Sequence, residues 1–192
     1  QKKKLYQHRI TWISKIEKLK KYPSIFVANE FFDSFPIKQF KKKENIWFEK
    51  YVQFKSKNSI FFFDKEIDIK KVEKKINFKI SQNQNFIEFS EGGLDYLKKI
   101  SQIINKNTGG LLLIDYGYTE KKMKNTLQAI RNHKFANILD NIGNVDITHK
   151  INFNLFNKLT KQTGGLENIL TTQKDFLIKM GIKERAEIIS KD

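Results

Sequence analysis

The chain contains no cysteine, which excludes disulfides, thiolate metal sites and cysteine nucleophiles. Proline is nearly absent: of 192 residues only Pro23 and Pro36 are prolines, and both punctuate one short stretch. Glycine is also scarce, at nine residues. Gly92-Gly93, Gly109-Gly110 and Gly164-Gly165 are isolated pairs, and there is no Gly-x-Gly loop of the kind that lets a backbone approach a nucleotide-like cofactor. His8, His133 and His149 lie far apart without metal-ligand spacing, so no metal is expected. No apolar run approaches the roughly 20 residues of a membrane-spanning helix. Acids are outnumbered, 21 Asp and Glu against 37 Lys and Arg, for a net charge of +16. Such an excess admits a nucleic acid or an anionic surface as partner. The basic residues are scattered, however, and Lys, Asn and Ile are all abundant. Compositional bias therefore explains the charge better, and nucleic acid is the less expected partner.

The most informative stretch that is present reads Ile25-Phe26-Val27-Ala28-Asn29-Glu30-Phe31-Phe32-Asp33-Ser34-Phe35-Pro36. Its apolar run is too short for a helix and suits a strand buried on both faces, as in a parallel sheet. In open α/β sheets ligands sit just beyond the carboxyl ends of such strands. Glu30 and Asp33 are therefore placed to bind a cation or move a proton, but they equally suit capping of a following helical turn. Asn29 suits orienting the loop through side-chain-to-backbone bonds. Phe31 and Phe32 suit walling a pocket for an alkyl stem or a cation, or packing the core.

Elsewhere the pattern predicts a short strand at 10–13 with Trp12 beside the main sheet. A β-hairpin follows from Ile37 to Phe54, with further strands at 59–64, 76–80 and 86–89. A helix is expected at 92–106, with Leu94, Leu97, Ile100, Ile103 and Ile104 on one face and Ser90 as its cap. Gly109-Gly110 then turns the chain into an apolar strand at 111–115, adjacent and parallel to 24–29, and both strands are expected to be buried. Residues 136–147 read as an ordered loop, 166–171 as a strand, and 151–163 and 173–190 as helices, the last broken near Gly181. Asp115 and Tyr116 end the second strand. Tyr116 suits the substrate pocket, and Asp115 suits bracing a loop. Asp146 and Thr148 look like a turn or cap.

The Asn-Glu-Phe-Phe-Asp-x-x-Pro-Ile wording closely resembles the signature of the MidA family of S-adenosylmethionine-dependent methyltransferases, whose mitochondrial members are complex I assembly factors. Further blocks resemble the family in order. They are Gly109–Tyr118, then Thr126–Phe135, then Gly143, Asp146, Ile147, Thr148 and Phe153, and finally Thr172-Gln173, Phe176-Leu177, Gly181-Ile182 and Arg185-Ala186. Two departures are Asn152, where the family usually has Asp, and Ser90-Glu91, where Ser-Pro is common. The resemblance implies an α/β fold: part of a class I, Rossmann-like methyltransferase sheet with flanking helices and a β-rich insertion at about 37–89. It implies a single, incomplete domain over 1–192, because the family's glycine-rich cofactor loop lies upstream of the Asn29 block. Cofactor-binding residues are accordingly not assigned.

The implied activity is methyl transfer from S-adenosylmethionine to a protein substrate, to arginine in the mitochondrial branch, where the substrate is a respiratory complex I subunit. The implied compartment is the bacterial cytoplasm or the mitochondrial matrix. Glu30 and Asp33 are the candidate catalytic residues, since carboxylates pair bidentately with a planar guanidinium. Asn29, Phe31, Phe32 and Tyr116 are the candidate substrate-binding residues. Two rival readings remain: a non-catalytic remnant or protein-binding assembly module of the same fold, and a basic nucleic-acid-binding protein.

Overall fold

The computed structural model describes residues 4–19, 21–56, 59–140 and 142–190. In chain order the strands and helices are β1 (Ser24–Asn29), β2 (Lys38–Lys43), β3 (Ile46–Ser56), β4 (Ser59–Ile67), α1 (Ile69–Ile76), β5 (Phe86–Phe89), α2 (Glu91–Asn107) and β6 (Gly109–Ile114). They continue with β7 (Gly117–Tyr118), β8 (Gln128–Arg131), β9 (Lys134–Ala136), β10 (Asp146–Thr148), β11 (Ile151–Asn152), α3 (Phe153–Gly164), α4 (Gln173–Lys179) and α5 (Ile182–Ile189). No helix among the described residues is long and apolar enough to cross a membrane.

β1 and β6 pair in parallel, from Ser24 opposite Gly109 to Asn29 opposite Ile114. Gly109 adopts φ +133°, and a Cβ there would lie 1.9 Å from the Ser24 carbonyl oxygen, so the pair can start only at a glycine. Residues in register share a face. Ala28, Phe26, Leu111 and Leu113 face the core. On the other face Ile25 is 81% and Val27 68% exposed. The expectation of strands buried on both faces is thus corrected: α2 packs on one side of the pair, and no described element covers the other.

The 37–89 region is β-rich, as expected, in a four-stranded antiparallel sheet of order β4-β3-β2-β5. Glu44 and Asn45, both at positive φ, make the tight turn between β2 and β3. Phe40 is fully buried and its ring stacks on Phe89. The expected strand at 76–80 is absent. α1 occupies 69–76 instead, capped by Asp68, whose side chain accepts from the Lys70 amide. Asn77 then turns left-handed, and Glu73 Oε1 accepts from the Ile80 and Ser81 amides at 2.9 and 2.8 Å. Those donors are spent locally, so alternating Ile76, Phe78 and Ile80 are buried without joining a ladder.

α2 forms as its pattern requires. Ser90 Oγ accepts from the Gly93 amide at 2.9 Å, and Leu94, Leu97, Ile100 and Ile104 are buried. α3 packs on it where Gly164 meets Ser101; a Cβ at Gly164 would lie 2.7 Å from the Ser101 carbonyl oxygen. Asn152 caps α3 by accepting from the Leu155 amide at 3.0 Å, so this departure from the family pattern keeps the cap without the charge. Three further expectations are corrected. Residues 10–13 form no strand, and Trp12 is exposed. Residues 166–171 form no strand. Asp146–Thr148 is the strand β10 rather than a turn or cap, while the described residues between Ala136 and Asp146 are the loop expected there, with its two ends drawn into the antiparallel sheet β10-β8-β9.

Candidate functional site

The chain leaves β1 through a strained residue. Glu30 holds φ +44°, a region that non-glycine residues enter at a cost, and its amide donates to the Ile114 carbonyl at 2.9 Å. The loop is fastened from β6. Asp115 Oδ2 accepts from the amides of Phe32 at 3.1 Å and Asp33 at 3.3 Å, and Asp115 Oδ1 accepts from the Tyr116 amide at 2.8 Å. The Tyr116 hydroxyl donates to Glu30 Oε1 at 3.1 Å. Behind the loop the His149 amide donates to the Asp33 carbonyl at 3.4 Å.

Aromatic packing holds the loop from below. Phe31 lies edge-on to Phe32, Phe35 and Tyr96, with centroids 5.1, 5.0 and 5.8 Å away, and Phe32 meets Phe156 at 5.2 Å. Phe32 is a core residue at 1% exposure, whereas Phe31 is 37% exposed.

The structure therefore gathers Asn29, Glu30, Phe31, Asp33 and Tyr116 at the adjacent carboxyl ends of two parallel strands. Glu30, Tyr116 and the end of β1 at Asn29 are open to solvent; Asp33 is largely buried. Burial pushes the Asp115 carboxyl above its usual range; its three backbone donors oppose this, and the Asp33 charge adds to it. The hydrogen bond to Glu30 raises the Tyr116 hydroxyl.

Two buried groups were not singled out by the sequence pattern. His149 is buried, and its Nε2 has no hydrogen-bond partner among the described residues; an isolated histidine gave no signal. Glu88 is buried and accepts from Gln39 Nε2 at 2.6 Å, the Thr126 amide at 3.1 Å and the Thr126 hydroxyl. The Lys150 amide in turn donates to Thr126 Oγ1 at 2.8 Å. This network ties residues 119–150 to the β2–β5 sheet, and the alternation Phe86-Ile87-Glu88-Phe89 was its only signal.

Asp115 yields a pH prediction. Its folded pKa is raised, so the folded state favours the neutral acid more than the unfolded chain does. That contribution is present below the ordinary aspartate value and is lost as pH rises through the raised one. Asp115→Asn removes the titration and leaves a constant offset. The melting temperature of Asp115→Asn minus that of wild type should therefore increase as pH rises from below the ordinary aspartate value towards neutrality. Thermal melts across that range check it; a flat difference would show that Asp115 titrates as it does in the unfolded chain.

The glycines build no cofactor cradle among the described residues. Gly92-Gly93 opens α2 against Phe35, Ser90 and Phe32, Gly109 serves the β1–β6 pairing, and Gly164-Gly165 ends α3.

A family model described as "Putative S-adenosyl-L-methionine-dependent methyltransferase" matches residues 1–171. The chain is 27% identical over 179 residues to "Protein arginine methyltransferase NDUFAF7 homolog, mitochondrial" of Caenorhabditis elegans, covering 92% of this chain and 42% of that protein. It is 28% identical over 196 residues to "Protein arginine methyltransferase NDUFAF7, mitochondrial" of Danio rerio, covering 94% and 42%. Among solved structures, a COG1565 superfamily member from Burkholderia thailandensis bound to S-adenosyl-homocysteine superposes with a TM-score of 0.69 at 18% identity, covering 92% of this chain and 46% of that one. The α/β fold of that superfamily is therefore present here. The chain spans about two fifths of the length of the curated relatives it matches.

Proposed function

The chain belongs to this methyltransferase family, and from that membership we propose that it supplies the substrate side of an S-adenosylmethionine-dependent methyltransferase acting on arginine in a protein. The observation that carries the reading is the acidic, aromatic mouth at the joined ends of β1 and β6, with Glu30 held by Tyr116 at 3.1 Å and the loop braced by Asp115. A methyl donor supplies an electrophilic carbon; this chain's residues hold the nucleophile. Glu30 pairs with a guanidinium and fixes its plane, because the two groups match in geometry. Asp33, behind it, adds negative charge that favours the cation. Phe31 and the Tyr116 ring flank the alkyl stem, and Asn29 lies at the rim. In such a transfer, positioning supplies much of the rate.

Residues 1–192 act in this reading as one part of a methyltransferase domain, with 37–89 as its insertion. The relatives' names support a protein substrate and a mitochondrial setting; a complex I subunit as that substrate, and a bacterial cytoplasm as the other setting, are part of the proposal. A second reading, a protein-binding module of the same fold, is favoured by the uncovered apolar face of β1, where Ile25 is 81% and Val27 68% exposed. The test uses the gene product as encoded, with methyl-labelled S-adenosylmethionine and arginine-containing peptides, read by mass spectrometry. Labelled arginine supports the enzyme; donor binding and transfer both absent support the module. The polypeptide of residues 1–192 is expected to bind S-adenosylmethionine weakly or not at all by calorimetry. Micromolar affinity would show that the donor site lies within these residues.

A further inference from the structure

Next to the acidic mouth stands a surface of opposite character. β8 and β9 form a hairpin whose turn, Asn132-His133, takes positive φ at both residues. β9 is an edge strand, since the sheet order is β10-β8-β9. Phe135 on that edge is 83% exposed. Beside it lies a concavity of about 540 Å³ whose lining includes Arg131, Lys134, Phe135, Ala136, Asn137 and Asp140. Arg131 and Lys134, opposite each other in the β8–β9 register, thus place two cations on one face of the hairpin, while Phe135, opposite Ile130, stands on the other. Among the described residues Asp140 is the one carboxylate lining the concavity.

The hairpin is tied to the mouth. Thr148 of β10 pairs with Gln128 of β8, and the amide of the next residue, His149, donates to the Asp33 carbonyl. From there β8 runs outward, so Arg131 stands three residues beyond the Gln128–Thr148 pair. Three residues at about 3.3 Å are about 10 Å, and the step from Thr148 across to Gln128 is about 5 Å, so Arg131 lies roughly 15 Å of backbone from Thr148, the neighbour of the residue that touches the loop, or four to five residues of extended peptide.

Resting on the methyltransferase reading above, we propose that this hairpin is the docking surface for the segment flanking the target residue. The surface selects protein substrates whose arginine is accompanied, four or five residues away, by acidic residues next to an apolar one. Charge complementarity sets the choice. The mouth is anionic and takes the cation, and the hairpin is cationic and takes the acids, so a uniformly basic peptide is repelled at the hairpin and a uniformly acidic one at the mouth. The free edge of β9 offers backbone groups to an extended peptide, and Phe135 offers apolar contact.

Fluorescence anisotropy on the full chain tests this with five synthetic peptides. Four combine a central arginine or alanine with either Asp-Leu or Ser-Leu four and five residues to both sides, and the fifth has a central arginine flanked by Lys-Leu. Replacing the aspartates by serine should weaken binding about tenfold or more at low salt. The joint variant Arg131→Glu and Lys134→Glu should lose that preference and favour a lysine-flanked peptide instead. Equal affinity of wild type for acid-flanked and serine-flanked peptides, or no binding of any, overturns the docking surface. If the flanks matter but arginine-to-alanine does not, docking stands and the arginine reading falls. If arginine matters and the flanks do not, the reverse holds. The wild-type comparison suffices even if the charge reversal unfolds the chain.

Discussion

Replacing Glu30 by Gln in the gene product as encoded is expected to slow single-turnover methyl transfer about 100-fold, within the range typical for a lost acid–base or charge-pairing group. Stability should change little, by about 0.5 kcal/mol or less. Glutamine has nearly the same shape, and its carbonyl oxygen still accepts from the Tyr116 hydroxyl that now lies 3.1 Å from Glu30 Oε1. What is lost is the second anionic oxygen that would complete a bidentate pair with a guanidinium. Asp33→Asn should also slow transfer strongly with little change in folding, because a residue acting only as a cap would be served about as well by Asn. The decisive measurement is peptide methylation in a single turnover, with melting curves recorded in parallel. Rates near wild type for both variants would reduce the loop to scaffold.

Phe32→Ala is expected to produce the largest loss of stability among the loop residues, about 3–5 kcal/mol. For a chain of this size that is a fall in melting temperature of about 10 °C. The side chain is 1% exposed and joins the loop to α3 through Phe156 at 5.2 Å, so truncation leaves a cavity between the two. Phe31→Ala should behave differently: its ring is 37% exposed, and the cost should be about 1–2 kcal/mol. Its effect should appear as weaker substrate binding rather than unfolding. Urea denaturation of both variants separates the cases; equal losses would mean that Phe31 is as much a core residue as Phe32. Of the two roles open for each phenylalanine, the structure gives Phe32 that of the core and leaves Phe31 partly exposed at the strand ends, where the proposal makes it a wall of the mouth.

Much of this arrangement was legible in residues 24–36 and 109–118 alone. Both apolar runs form strands, they pair in parallel as expected, and α2 between them follows from its capped, one-sided pattern. These features depend on local signals: periodicity, a cap, a glycine at a position that only glycine can fill. Asp115 as the brace of the acidic loop was also readable, because an acid at the end of one parallel strand lies beside the loop leaving its neighbour.

What only the tertiary structure decided concerns segments whose state depends on distant partners. Ile76, Phe78 and Ile80 alternate like a strand, but Glu73 takes the amides of Ile80 and Ser81 and no neighbouring strand receives the segment. Gln128–Arg131, Lys134–Ala136 and Asp146–Thr148 have weak patterns and form a sheet because β8 finds β9 on one side and β10 on the other. Residues 166–171 look like a strand and pair with nothing described. Strand propensity is mostly a preference for a pleated, half-buried place that another segment must provide. For the same reason the composition of β1 announced a buried strand, and the structure alone showed that Ile25 and Val27 face outward while Phe26 and Ala28 face the core. Hydrophobicity records what a face is fit to meet; which face is met is settled by the elements that pack around it.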